Sequence, residues 1–321
     1  MKFNFGSFGN FGGFSQNEET GEYHWTPPQR QGGGRPKKMR RSFSRGASLA
    51  LSLAVTLVFG FFYFYFKLPA INIHSGDFYV FIILLCAVYC VCVLLLEGFR
   101  ADSVKGYVAQ ARKKAAVPFY IVCLCIVVAV AGSLIGWKLF RARDYAQLLP
   151  IENGDFAADV AEISFDQIPM LDSASANVLA NRKLGELSEL VSQFEVYSDS
   201  FQINYQNRPV RVTYLNYGDF FKWWNNQKAG IPAYMVIDMV TQEVTVQRLE
   251  QGIRYSPSEY FFRDIDRYLR FKYPTKMFTD VNFEVNEEGE PYWVAPAVTK
   301  KVGLFGGEDA VGAVLVNAVT G

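Results

Sequence analysis

Three uncharged apolar runs constrain this chain more than any other feature. They read GASLALSLAVTLVFGFFYFYF (46–66), FYVFIILLCAVYCVCVLLL (78–96) and VPFYIVCLCIVVAVAGSLIGWKL (117–139). Crossing a hydrocarbon core takes about 20 apolar residues, and each run supplies that length. Lys138, at the rim of the third, is the only charge within them. Helices of soluble proteins keep a polar stripe over such lengths, and these have none. The sequence therefore predicts three transmembrane helices, with the rest of the chain folding beside a bilayer.

Charge then separates the two faces. Residues 1–143 hold 17 Lys and Arg against 6 Asp and Glu, whereas residues 144–321 hold 15 against 25. Lys and Arg in short flanks stay on the cytoplasmic side. Seven precede the first run (Arg30, Arg35, Lys37, Lys38, Arg40, Arg41, Arg45), and five separate the second from the third (Arg100, Lys105, Arg112, Lys113, Lys114). The opposite flanks hold four: Lys67, Lys138, Arg141 and Arg143. The expectation is a multi-pass plasma-membrane protein with its N-terminus cytoplasmic and residues 144–321 extracytoplasmic.

The tail over 1–45 is Phe/Gly-rich and then basic, without hydrophobic periodicity, which predicts disorder. Its segment KMRRSFSR (38–45) resembles the twin-arginine export signal through Arg40, Arg41, Phe43 and Arg45. Met39 and Ser44 depart from that pattern, and no small-x-small cleavage site follows the first run. The segment reads as a positive-inside anchor, with no nucleic-acid partner expected.

After an acidic linker (144–172) the chain repeats itself. GAVLVNAVTG (312–321) aligns with AYMVIDMVTQ (233–242), placing Asn317 on Asp238 and Thr320 on Thr241 at an offset of 79. Upstream, FEVNEEGEPYWV (283–294) aligns with FQINYQNRPVRV (201–212) at an offset of 82. Each phrase reads as a β-hairpin, and Asp or Asn at the turn bonds the backbone that follows. Helices are predicted ahead of both. Over 173–194 the apolar face is Val178, Leu184, Leu187, Leu190, Val191 and Phe194. Over 256–274, Ser256, Pro257 and Glu259 form a capping box, followed by a face of Phe261, Phe262, Ile265, Tyr268, Leu269 and Tyr273. The predicted fold is membrane-anchored α+β: three spans, then tandem helix-plus-antiparallel-hairpin units at 173–249 and 256–321. The second unit lacks a returning strand, which suggests a fragment of a longer reading frame.

This pattern, with strands closing on Asp238 and Thr241 and again on Asn317, Thr320 and Gly321, resembles the PepSY family. Those are small α+β modules of exported or membrane-bound bacterial proteins, some beside peptidases that they are thought to restrain. The resemblance covers about half of the chain, and Gln242 departs from it where the family pattern has Gly. The whole chain is also similar to a group of multi-span proteins of Gram-positive bacteria that carry twin-arginine signal labels, which implies a location and not an activity.

Chemistry narrows by elimination. All five cysteines (Cys86, Cys90, Cys92, Cys123, Cys125) lie in the apolar runs, and the two histidines are His24 and His74. Residues 144–321 therefore hold no His or Cys. Disulfide stapling, His-dependent triads and His/Cys metal sites are excluded there. Glu152, Asp155, Asp159, Glu162, Asp166 and Asp172 do not match the Asp-x-Asp-x-Asp-Gly calcium loop, and they read as a solvated linker. Asp264 and Asp266 read as surface charges. Ser173 or Ser175 with Lys183 is a loose Ser–Lys candidate. GLFGGED (303–309) lacks the Lys-Ser/Thr of a phosphate loop and reads as a connector. No metal, cofactor or catalytic residue is expected.

The candidate binding surface is YGDFFKWWNN (217–226), because Phe220, Phe221, Trp223 and Trp224 cannot all point inward from one helix. The expected function is a non-catalytic extracytoplasmic module binding a protein, peptide or cell-wall component. The alternatives are an exported enzyme, with carboxylate-only chemistry or an active site beyond residue 321, and a scaffold oligomerising through Gly132, Ser133 and Gly136.

Overall fold

The computed structural model describes residues 13–16, 23–26, 45–100, 104–149, 151–160, 162 and 164–321. It divides into residues 1–44 and 45–321. In the first unit, strands β1 (Gly13–Gln16) and β2 (Tyr23–Thr26) pair antiparallel, with Phe14 opposite Trp25 and Ser15 opposite His24. The expectation of disorder concerned residues 1–45, most of which lie outside the described residues. Arg40, Arg41 and Phe43 lie outside the described residues.

The second unit begins with helices α1 (Arg45–Lys67), α2 (Gly76–Arg100) and α3 (Val104–Ile135), all long and apolar enough to cross a membrane. The third helix is displaced from the predicted 117–139. It starts with the basic residues that precede the apolar run, and residues 136–140 leave it in a turn. Gly60 lets α1 approach α2, since a Cβ there would lie 2.9 Å from Leu85 Cδ2, and Tyr63 stacks on Phe81 at 5.5 Å. Buried Glu97 pairs with Lys114 at 2.5 Å across α2 and α3.

Short helices α4 (Ala142–Ala146) and α5 (Phe156–Asp159) lead into a domain of two sheets. Helix α6 (Ser173–Gly185) and the single turn α7 (Ser188–Val191) precede the first sheet. Its strands are β3 (Phe194–Val196), β4 (Phe201–Tyr205), β5 (Arg208–Tyr217), β6 (Ile231–Asp238) and β7 (Val244–Ile253), with helix α8 (Phe220–Asn226) between β5 and β6. Helix α9 (Ile265–Lys272) precedes the second sheet, β8 (Met277–Phe278), β9 (Asn282–Val285), β10 (Pro291–Val302) and β11 (Gly306–Asn317). Two short strands flank one side of a long central strand in each: β3 and β4 on β5, β8 and β9 on β10.

The registers correspond as well. Val210 faces Asp238 in the first ladder, and Tyr292 faces Asn317 in the second. Asp238 accepts from the Val240 and Thr241 amides, both at 2.8 Å, and Asn317 accepts from Val319 and Thr320 at 3.0 and 2.9 Å. The next residue is left-handed in both turns, Gln242 with φ 62° and Gly321 with φ 72°. The sheets share one core, in which Tyr214, Phe283 and Trp293 stand 4.8–5.2 Å apart.

Both predicted helices are shorter than expected. The first breaks at Gly185 and buries Ala176, Ala180 and Leu184, leaving Val178 and Val191 outside. Small alanines let it lie close on the sheet. The second starts at Ile265, capped by Asp264 accepting from the Arg267 amide at 2.9 Å, so the capping box at Ser256 is not used. Strand β7 runs on to Ile253, past the expected end at 249.

The second sheet meets the helices directly. The β10–β11 turn (303–305) lies on α3: a Cβ at Gly132 would sit 2.7 Å from Leu304 Cδ2, and one at Gly136 3.2 Å from the Val302 carbonyl. Phe305 packs on Tyr79 at 5.6 Å, and His74 Nδ1 bonds the Leu304 carbonyl at 2.8 Å. Gly132 and Gly136 therefore receive this hairpin, the surface that the scaffold alternative assigned to a neighbouring helix. Ser133 bonds its own helix, donating to Ala129 at 2.8 Å. Further along, the Ile71 amide donates to Pro274 at 2.8 Å, and Phe271 packs edge-on to Phe64 at 5.3 Å.

Candidate functional site

Asp219 ends the extended chain after β5 and caps α8, its carboxylate accepting from the Lys222 amide at 2.9 Å. That start places four aromatics around a helix of fewer than three turns, so they divide. Trp223 points inward and is 3% exposed. Phe220 lies at the margin, with its ring 5.2 Å from Tyr260, while Phe221 and Trp224 face outward.

The inward Trp223 reaches a residue that the sequence reading assigned to a helix cap. Glu259 is 3% exposed. Its Oε2 accepts from Trp223 Nε1 at 2.7 Å and its Oε1 from the Tyr217 hydroxyl at 2.9 Å. A buried carboxylate needs partners for both oxygens, and two aromatic donors supply them. Burial outweighs these bonds and the nearby Arg263 charge, raising the Glu259 pKa above the usual carboxylate range. Burial and the adjoining carboxylate likewise push the Tyr217 phenol up.

A cavity of about 300 Å³ opens beside this group, bounded by Tyr217, Asp219, Ser258, Glu259, Asp264 and Arg267. Asp264 is also raised, chiefly by burial, so the expectation of a plain surface charge does not hold for it. Arg267 lies over the Tyr65 ring at 4.3 Å and donates to the Tyr65 carbonyl at 3.2 Å, which ties the cavity wall to α1. The site offers acidic oxygens, hydroxyls, aromatic walls and the Arg267 guanidinium. A larger groove of about 780 Å³ lies among the three helices; its walls are mostly apolar, with Thr56, Tyr89, Gln110, Lys113 and Lys114 at its polar part.

Other sequence candidates do not assemble. Ser173 donates to Asp199 and lies 3.2 Å from the Ser200 hydroxyl, whereas Lys183 pairs with Glu186 at 3.0 Å. The Ser–Lys arrangement is thus not formed. Among the described residues, no three His, Cys, Asp or Glu side chains converge as metal ligands. The sequence signal that pointed toward Glu259 was only its neighbourhood, an acid between SPS and YFF (256–262). No family model, curated protein or solved structure matches this chain.

Proposed function

We propose that this chain is a membrane-anchored binding and regulatory module whose sheet domain lies outside the plasma membrane and holds a cationic group of a peptide or cell-wall component. The observation that carries the reading is Glu259: a buried carboxylate, held at both oxygens, at the wall of a cavity that also contains Asp264 and Asp219. The excess of acidic residues over 144–321 favours the same class of ligand. The outward placement is supported by the basic flanks at the far ends of the helices. The matching strand order and registers support two PepSY-like units that arose by duplication.

The test uses the full chain in nanodiscs, titrated with a lysine-containing peptidoglycan stem peptide and with the same peptide acetylated on lysine. Binding of the first only, weakened by Glu259→Gln, is expected. Equal binding to wild type and variant, or no binding, would overturn the ligand assignment. Placement is tested separately by protease on intact protoplasts: cleavage after residue 144 with a protected tail is expected, and the reverse pattern refutes it.

A further inference from the structure

A contiguous set of large aromatic side chains on the outside of a folded domain marks a contact surface. Here Phe221 is 75% exposed, Trp224 58%, Phe261 58% and Phe262 55%. The rings are linked. Phe220 lies 5.8 Å from Phe221 and 6.2 Å from Trp224, and buried Trp223 lies 5.9 Å from Phe261. Arg263 fastens the two segments together by donating to the Gln227 carbonyl at 2.8 Å.

The row ends on a membrane helix. Phe262 meets Tyr65 edge-on at 5.9 Å, and Tyr65 belongs to the last turn of α1. On the same helix Phe62 and Phe66 stack at 6.5 Å, both exposed, within a segment apolar and long enough to cross a bilayer. The aromatic surface of the domain is thus continuous with the outward face of α1, at the level where that helix ends. The Trp indole favours this depth, where one edge meets hydrocarbon and the other headgroups and water, and Phe rings of interfacial segments bury at the boundary between headgroups and acyl chains. Helix α8 joins β5 to β6 just as residues 303–305 join β10 to β11, and the latter connection does rest on α3. Phe261 also holds a left-handed φ of 57°, which bulky residues rarely adopt, with its carbonyl accepting from Arg267 at 2.5 Å. The loop is therefore held in one conformation beside α1.

We infer that Phe221, Trp224, Phe261 and Phe262 sit in the headgroup region of the bilayer that holds α1, so that the partner of this surface is lipid. The inference does not depend on which side of the membrane the domain occupies. It places the Glu259 cavity, one residue removed from Trp224 through Trp223, close above the membrane surface.

Trp224 supplies the probe. The full chain and its Trp224→Phe variant are reconstituted in phosphatidylcholine–phosphatidylglycerol vesicles, and the difference between their emission spectra isolates Trp224. Lipids brominated near the headgroup should remove most of that difference signal, lipids brominated near the chain ends should remove little, and aqueous acrylamide should hardly reach it. Free quenching by acrylamide with none by brominated lipid would overturn the inference, because the surface would then face water. Protection from both quenchers would also overturn it, since the rings would then be covered by protein, such as a second copy of this chain.

Discussion

The two sheets share one plan as far as β6 and β11, and within it they diverge at the connection after the central strand. After the central strand of the first, residues 218–230 wander through α8 before β6 begins; after the central strand of the second, residues 303–305 turn at once into β11. The longer connection carries the aromatic helix and, through Trp223, one of the two donors that hold Glu259. The shorter one becomes the tip that rests on Gly132 and Gly136. Strand pairing and Asx turns are alike in the two sheets, so the scaffold tolerates specialisation where the chain leaves the ladder. Loops above a paired sheet are free to change length because the backbone bonds that hold the fold lie elsewhere.

The largest test of this comparison removes what the sheets share. Trp293 is fully buried against Tyr214 and Phe283, so Trp293→Ala should cost about 3–5 kcal/mol. Both sheets should melt together in hydrogen-exchange measurements; loss of protection in β8–β11 alone would show them to be independent.

A second variant separates tip from core. Gly132→Leu forces a side chain into the space held by Leu304 and should cost about 1–3 kcal/mol of packing at the junction. Residues 303–305 should become protease-sensitive while β5–β7 stay protected. Unchanged sensitivity would mean that the tip does not depend on this seat.

The third strikes only the first sheet's connection. Glu259→Ala leaves the Tyr217 hydroxyl and Trp223 Nε1 without their acceptor, a loss of about 1–3 kcal/mol. Glu259→Gln should be milder and should alter the pH profile. Because the folded pKa is raised, the folded state binds the extra proton between the ordinary unfolded value and its own higher value. That contribution is present in full below the unfolded value and is lost as pH rises through the folded one. The wild-type minus Glu259→Gln stability should therefore fall with rising pH, and a flat difference would remove the buried carboxylate from the account.

The smallest effect belongs to the matched turns. Asp238→Ala, made in an Arg208→Ala background to remove the ion pair between those two, and Asn317→Ala each delete an acceptor for two amides and should cost similar amounts, about 0.5–1.5 kcal/mol. Clearly unequal losses would weaken the structural equivalence of the turns.

Much of the architecture was readable in advance, because its signals are local. The apolar runs, the Asx turns and the hairpin strands depend on residues close in sequence, and they lie near their expected places. The site was not readable, for the opposite reason. Ser256, Pro257 and Glu259 satisfy a helix-start pattern, yet the Glu259 carboxylate is engaged by Trp223 and Tyr217, 36 and 42 positions earlier. With that side chain turned inward, Asp264 caps the helix instead. The small residues of α3 misled similarly: their pattern shows that something approaches closely, but not whether it is a helix or a hairpin tip.

Strand β10 has one further consequence. From Trp293 in the shared core to Val302 beside Gly136 it runs about 30 Å at the usual strand rise, paired with β11 on either side of a bulge between Ala297 and Val298. Tilting the core against the helices must either lift Leu304 from its seat or bend the ribbon where its ladder slips, between Ala297 and Val298.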